Sequence, residues 1–180
     1  IEKNGIIYIQ IPNLEKNPFY SLMGDQFNFF TKISMINVLN LLNLKTKAIE
    51  HKFFPREIII IAKKNTVRDK KMNLKKDNIF LKSLKEIELM KKKLSYLKIN
   101  KLSVLGTTIN AAFVDEILSN KIKMFIDEQA SNMKIFFRKK RIMHPYNLKK
   151  NNYVILPYDQ NNKLILKKFK DKYIGNFYLI

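Results

Sequence analysis

The chain has 180 residues and a formal net charge of +20, from 35 Lys and Arg against 15 Asp and Glu. Apolar residues make up 46% of it, enough to build a core, and Cys is absent. That excludes disulfide scaffolds and thiolate zinc sites, and no apolar run reaches the roughly 18 residues a membrane helix needs.

So much positive charge repels itself unless a polyanion neutralises it. The commonest large polyanion is nucleic acid, where each neutralised phosphate releases counterions. The composition therefore points to RNA or DNA held by many phosphate contacts. The basic residues are 31 Lys and 4 Arg, namely Arg56, Arg68, Arg138 and Arg141. Arg is the better base reader, and Lys acts as a hydrated point charge. The 20 Asn and 25 Ile share the A/T-rich codons of Lys, so codon bias is a sufficient reason for the Lys excess. The length fits one domain, or a small domain with extensions. Ile1 rather than Met opens the chain, which reads as a processed or partial product or as the product of a non-standard start codon, and no signal peptide is visible at this end.

In chain order, Ile6 to Ile11 reads as a strand ending at Pro12. Residues 13–25, with Pro18 and Gly24, read as a loop. Phe27 to Leu44 carries apolar residues near helical spacing. Ile58 to Ala62 is a β-branched run that fits a buried strand. Residues 63–76 hold Lys63, Lys64, Arg68, Lys70, Lys71, Lys75 and Lys76 and read as a phosphate-contacting arm.

Ile79 to Leu97 is amphipathic, with Phe80, Leu84, Ile87, Leu94 and Leu97 as its apolar stripe. Gly106 precedes a second helix that Thr107 or Thr108 can cap. Strands follow at Lys123 to Ile126, Lys134 to Phe137 and Tyr153 to Leu156, and residues 163–169 and 173–180 read as strand-like. Four glycines form no P-loop or dinucleotide turn. The pairs Asp115-Glu116 and Asp127-Glu128 read as solvated surface charge, because neighbours point apart. His51 and His144 lack motif spacing. No catalytic constellation, metal site or cofactor is expected, so an enzyme is not.

Helix, Gly106-Thr107-Thr108 turn, helix, strand, bend and strand follow one another over about residues 94–156. This order resembles the small RNA-binding domain of the ribosomal small-subunit protein four family. Lys123-Met124-Phe125-Ile126-Asp127-Glu128 and the stretch from Arg141 through Pro145 to Ile155 carry the similarity. The Arg-Leu-Asp lead-in to the first helix is missing, and about ten residues, Gln129 to Arg138, look inserted. The resemblance implies two short helices joined by a tight turn, then a bent β-hairpin, bound to structured small-subunit ribosomal RNA. Leu105 to Ala112 also resembles the strand–glycine–helix core of Alba-type nucleic-acid-binding proteins, found in ribonucleoproteins.

The expectation is thus an α+β protein: an extension with a basic arm over 1–78, an RNA-binding domain over 79–156 and a strand-like tail over 157–180. The expected role is a structural ribosomal protein bound to small-subunit ribosomal RNA, in a mitochondrial or other organellar ribosome, with a cytoplasmic one as the alternative. Its expected partners are ribosomal RNA and neighbouring ribosomal proteins, with no small-molecule substrate and no membrane span. The expected RNA contacts are Lys63, Lys64, Arg68, Lys70, Lys71, Lys121, Lys123, Arg138, Lys139, Lys140, Arg141, Lys149 and Lys150. Phe137 and Tyr146 are candidates for stacking on unpaired bases. The rivals are an Alba-like RNA- or DNA-binding subunit and an accessory subunit of a large mitochondrial complex.

Overall fold

The computed structural model describes residues 2, 5–25, 28–49, 54, 56–65, 76–130, 136–158 and 163–180. The chain is α+β and divides into two units, Ile1–Ile87 and Glu88–Ile180. No helix among the described residues is long and apolar enough to cross a membrane.

The first unit is built on an antiparallel sheet of order β1-β3-β2, from β1 (Ile6–Pro12), β2 (Leu44–Ile49) and β3 (Glu57–Lys64). Ile58, Ile60 and Ala62 of the central strand pack on Met35 and Leu39 of helix α1 (Lys32–Leu41). The expected helix over 27–44 is shorter at both ends, for local reasons. Thr31 caps it: its Oγ1 accepts the Ser34 N–H at 3.0 Å, and its own N–H donates to Ser34 Oγ at 2.8 Å. This reciprocal box satisfies two donors at the helix start. Beyond the helix, Asn43 takes a left-handed φ of 54° and turns the chain into β2. Leu44 therefore belongs to β2, a strand absent from the sequence reading. Helix α2 (Ile79–Ser95) holds the division between the units. Its buried stripe is Ser83, Ile87, Met90 and Leu94, while Phe80 and Leu84 of the expected stripe are exposed.

The second unit has a six-stranded sheet. Its elements are β4 (Leu102–Leu105), α3 (Ile109–Leu118), β5 (Ile122–Ile126), β6 (Phe136–Phe137), β7 (Lys140–Met143), β8 (Tyr153–Leu156), α4 (Lys163–Lys172) and β9 (Asn176–Leu179). The order is β6-β7-β5-β4-β8-β9, and every pairing is parallel except β6 with β7. A parallel sheet covered on both faces has strands apolar on both sides. All four residues of β4 are accordingly buried. Leu102, Val104, Phe125 and Ile155 pack with Ala111, Val114 and Leu118 of α3. Leu105, Ile126, Val154 and Leu156 pack with Phe169 and Tyr173 at the end of α4.

Four expectations are corrected here. The two helices expected to meet at a tight turn are separated by β4. The strands expected to form a bent hairpin, β5 and β8, lie on opposite sides of β4 and parallel to it. The only antiparallel pair among the described residues of this unit is β6 with β7, joined through Arg138 and Lys139 at φ 48° and 63°. Positive φ at both central residues is the signature of a tight hairpin turn. Residues 163–169 are helical rather than strand-like: Ile165, Phe169 and Tyr173 recur at four-residue spacing on the covered side, and Leu164, one position before Ile165, is exposed. The end of the chain is no separate tail, because β9 pairs with β8 and completes the sheet.

Candidate ligand crevice and basic rim

Parallel strands give the second unit two chemically distinct ends. From β4 the chain crosses through α3 to β5, and β7 then lies beyond β5. It next returns to the other side of β4 for β8, and α4 leads on to β9. The connections leaving β4 and β8 therefore diverge. In open α/β sheets such a switch point leaves a crevice outside the carboxyl ends of the strands, and ligands bind there.

The residues at this point form a connected set. Gly106 follows β4 with φ 87°, and a Cβ built on it meets nothing within 4 Å. Its N–H donates to the Ile126 carbonyl at 2.7 Å. Thr107 Oγ1 donates to Asp127 Oδ2 at 3.2 Å, and Asp127 Oδ1 accepts the Gln129 N–H at 2.9 Å. On the other side, buried Asn110 in the first turn of α3 donates its amide to the Pro157 carbonyl at 2.9 Å. This bond ties the start of α3 to the exit of β8 across the switch point. Thr108 caps α3 without a side-chain hydrogen bond. The first N–H groups of a helix lack intrahelical partners and carry the positive end of its dipole. Asp127 lies 21 positions after Gly106, near the spacing of about 20 at which doubly wound folds place a ribose-binding acid. Ala111, fully buried against the sheet, occupies the third small position of the G-x-G-x-x-G/A pattern. Thr108 replaces the second glycine, so only part of the fingerprint is present.

The expected RNA contacts of this unit lie at the other end of the sheet. Lys121 and Lys123 flank the start of β5, Arg138 to Arg141 lie at the turn and start of β7, and Lys149 and Lys150 precede β8. Lys123, Lys139, Arg141, Lys149 and Lys150 are exposed. Lys121 donates to the Leu97 carbonyl at 2.5 Å. Arg138 and Lys140 are turned to internal work. Arg138 Nε donates to Asp115 Oδ2 at 2.8 Å, its NH2 group donates to Glu116 Oε2 at 2.5 Å, and Lys140 donates to Asp115 Oδ1. Asp115 is only 5% exposed, which corrects its reading as surface charge. Its hydrogen bond raises the Arg138 pKa above the ordinary value. In the first unit, Lys63 and Lys64 are exposed at the end of β3, while Arg68, Lys70 and Lys71 lie outside the described residues.

Glu128, also expected in solvent, joins a third set. Its Oε1 accepts Lys172 Nζ at 2.9 Å and the Tyr173 hydroxyl. The Tyr173 hydrogen bond, then that of Lys172, holds the Glu128 pKa below its ordinary value. Burial, then Glu128, raises the Tyr173 pKa. Tyr146 is exposed and packs against both His144 and Tyr173, at ring separations of 4.9 and 5.1 Å. The other stacking candidate, Phe137, is half-buried and packs edge-on to Phe125 at 4.8 Å.

Among the described residues no group of three or more His, Asp or Glu is placed to hold a metal. The sequence reading named Thr107 only as a possible helix cap and Asp127 only as surface charge, and it gave Asn110 no role. Their meaning depended on two parallel strands being neighbours. No family model matches the chain, and no curated protein matches it.

Proposed function

We propose that the Glu88–Ile180 unit binds a small phosphorylated ligand with a hydroxylated ring, of the nucleotide class, in the crevice at the carboxyl ends of its strands. The observation that carries this reading is the divergence of the β4 and β8 exits over Gly106, with Asp127 at the end of the neighbouring strand. The start of α3 supplies N–H donors and positive potential for a phosphate. Asp127 supplies an acceptor for a sugar hydroxyl. Thr108 in place of a glycine narrows the approach to the backbone, which favours a single phosphate group over a closely held pyrophosphate. Fold-level analogy supports the class of ligand and leaves its chemistry to the site.

The test is thermal denaturation with a panel of nucleoside mono- and diphosphates, followed by titration calorimetry of any that stabilises. A ligand that raises the melting temperature of the wild-type chain should lose at least tenfold in affinity against Asp127→Asn, with no loss for Lys149→Gln. No stabilisation by any member of the panel would remove the reading.

A second reading keeps the polyanion. Lys123, Lys139, Arg141, Lys149 and Lys150 are exposed around one end of the sheet, and the chain carries +20. Under this reading that rim contacts RNA phosphates, and ribosomal RNA in an organellar subunit is the partner to examine first. Each lysine lost from a phosphate contact should lower the slope of log affinity against log salt by about 1. Sedimentation of the native chain with a small ribosomal subunit, abolished by ribonuclease, would support it. Migration in a ribonuclease-resistant complex would sink it.

A further inference from the structure

We propose that β1 is a pairing edge and that two copies of the chain join through it, β1 to β1, into one continuous antiparallel sheet. Among the described residues the sheet of the first unit has two edge strands, β1 and β2, and they are treated oppositely. On β2 the side chains of Lys45 and Lys47 are exposed, and charged side chains of this kind guard an edge against further pairing. On β1 the sequence Ile-Ile-Tyr-Ile-Gln-Ile-Pro has no charge. It runs for seven residues, and its register against β3 is unbroken from Ile6 to Pro12. Ile6 is 70% exposed and Tyr8 58%. A long, unbroken, uncharged edge is the kind that pairs. Among the described residues the edge strands of the second unit are shorter, with two residues in β6 and four in β9.

The hydrogen-bond pattern specifies which groups of β1 face away from β3. The Asn13 N–H donates to the Arg56 carbonyl at 3.0 Å, one step beyond the Pro12–Glu57 pair. In an antiparallel ladder the bonded residues alternate. Ile11, Ile9 and Ile7 therefore bond to β3, while Ile6, Tyr8 and Gln10 direct their N–H and C=O groups away from it. Pro12 has no N–H and falls on the outward set, where proline is tolerated.

This outward set is self-complementary. A twofold axis at Tyr8 pairs Tyr8 with Tyr8 of the second copy and Ile6 with its Gln10. Every outward N–H from Ile6 to Gln10 then meets a carbonyl, and Pro12 lies past the end. Isologous contacts of this form close as a dimer and do not propagate. Tyr8 donates to Gln10 at 2.7 Å and Gln10 donates to Glu57, so polar atoms on the exposed face are already satisfied without a charge at the seam. A contact one strand wide lies at the small end of interfaces, so the dimer forms with rising concentration. Like charge opposes it, which makes it stronger in high salt, whereas binding of nucleic acid weakens with salt.

Sedimentation velocity of the full chain, nucleic acid removed, tests this across concentration at about 0.15 and 0.5 M salt. The expected result is a monomer–dimer equilibrium that tightens with salt. Two variants should each weaken it at least tenfold: Tyr8→Lys, which places two like charges at the axis, and Gln10→Pro, which deletes an outward donor. Circular dichroism checks that both stay folded, and either variant suffices if the other does not fold. Hydrogen exchange gives an independent readout, with the Ile6, Tyr8 and Gln10 amides becoming protected as concentration rises. A monomer under all conditions overturns the proposal. So does a dimer that both folded variants leave intact, or one in which those amides stay unprotected.

Discussion

The two ends of the parallel sheet differ in what their charges do. At the carboxyl ends of β4 and β5 the described residues form a small polar set: Thr107 donates to Asp127, Asn110 donates to the Pro157 carbonyl, and a Cβ on Gly106 would meet nothing within 4 Å. At the amino ends there are many charged groups, and some are spent on the fold. Arg138 and Lys140 converge on Asp115 and fasten the β6–β7 hairpin to α3. The difference teaches that charge count and site are separate quantities. A lysine in a basic run can be a structural clamp, while a ligand site can form where the sequence is nearly neutral.

The largest perturbation removes both ends together. Phe125 is completely buried in the middle of β5 and packs edge-on against Phe137. Phe125→Ala should cost about 3–5 kcal/mol, as large-to-small changes in packed cores do. Urea denaturation should show this loss. Ligand binding at the crevice and polyanion binding at the rim should fall in parallel, and loss of only one would break the idea that one core supports both.

Gly106→Val acts on the carboxyl end alone. Gly106 has φ 87°, so any side chain there is strained by about 1–2 kcal/mol, and a branched one fills the open space beside the start of α3. The expected outcome is a modest fall in the urea midpoint and at least a tenfold loss of nucleotide affinity by calorimetry. The salt slope of RNA binding should stay as in the wild type. A change in that slope would mean that the two ends are not separable.

Asp115→Ala acts on the amino end. It leaves Arg138 and Lys140 without their shared partner, but their side chains are 40% and 23% exposed and can turn to water. The cost should therefore be about 1 kcal/mol, less than for a fully buried pair. Two cations are also released toward the rim. RNA affinity should rise slightly in low salt, measured by fluorescence anisotropy with a labelled single strand, while nucleotide affinity holds.

Local signals in the sequence account for what was legible. The strand over Ile6–Pro12 alternates, the β-branched run at Ile58–Ala62 marks a buried strand, and the helix from Ile79 has a clear apolar period. Leu164-Ile165-Leu166 misleads because three adjacent apolar residues resemble a strand, and only packing reveals that Leu164 points away. The direction of pairing was not legible. Parallel neighbours are joined through long crossovers, so nothing near Tyr153 says that it lies beside Leu102. The same non-locality hid the role of Asp115, whose partner Arg138 is 23 positions away. It hid the crevice too, because Thr107 and Asp127 meet only once β4 and β5 are aligned.

The smallest expected effect concerns Glu128, which links the loop after β5 to the end of α4. Its folded-state pKa is lowered, chiefly by the Tyr173 hydroxyl and then by Lys172. A lowered carboxylate pKa means that the folded state binds its proton less readily than the unfolded one. The stabilisation is present above the unfolded value of about 4.3 and is lost as pH falls through the folded value. Tyr173 shifts upward, so its share is present below an ordinary tyrosine pKa of about 10 and is lost as pH rises through its raised value. The set therefore contributes across the neutral range and fails at both extremes. Glu128→Gln should lower the urea midpoint slightly at pH 7. The gap from the wild type should close as the pH drops below about 4, because the wild-type carboxyl is then protonated as well. A gap that persists unchanged at pH 3 would show that Glu128 acts by shape rather than by charge. Tyr173 would then be held to the loop by packing alone.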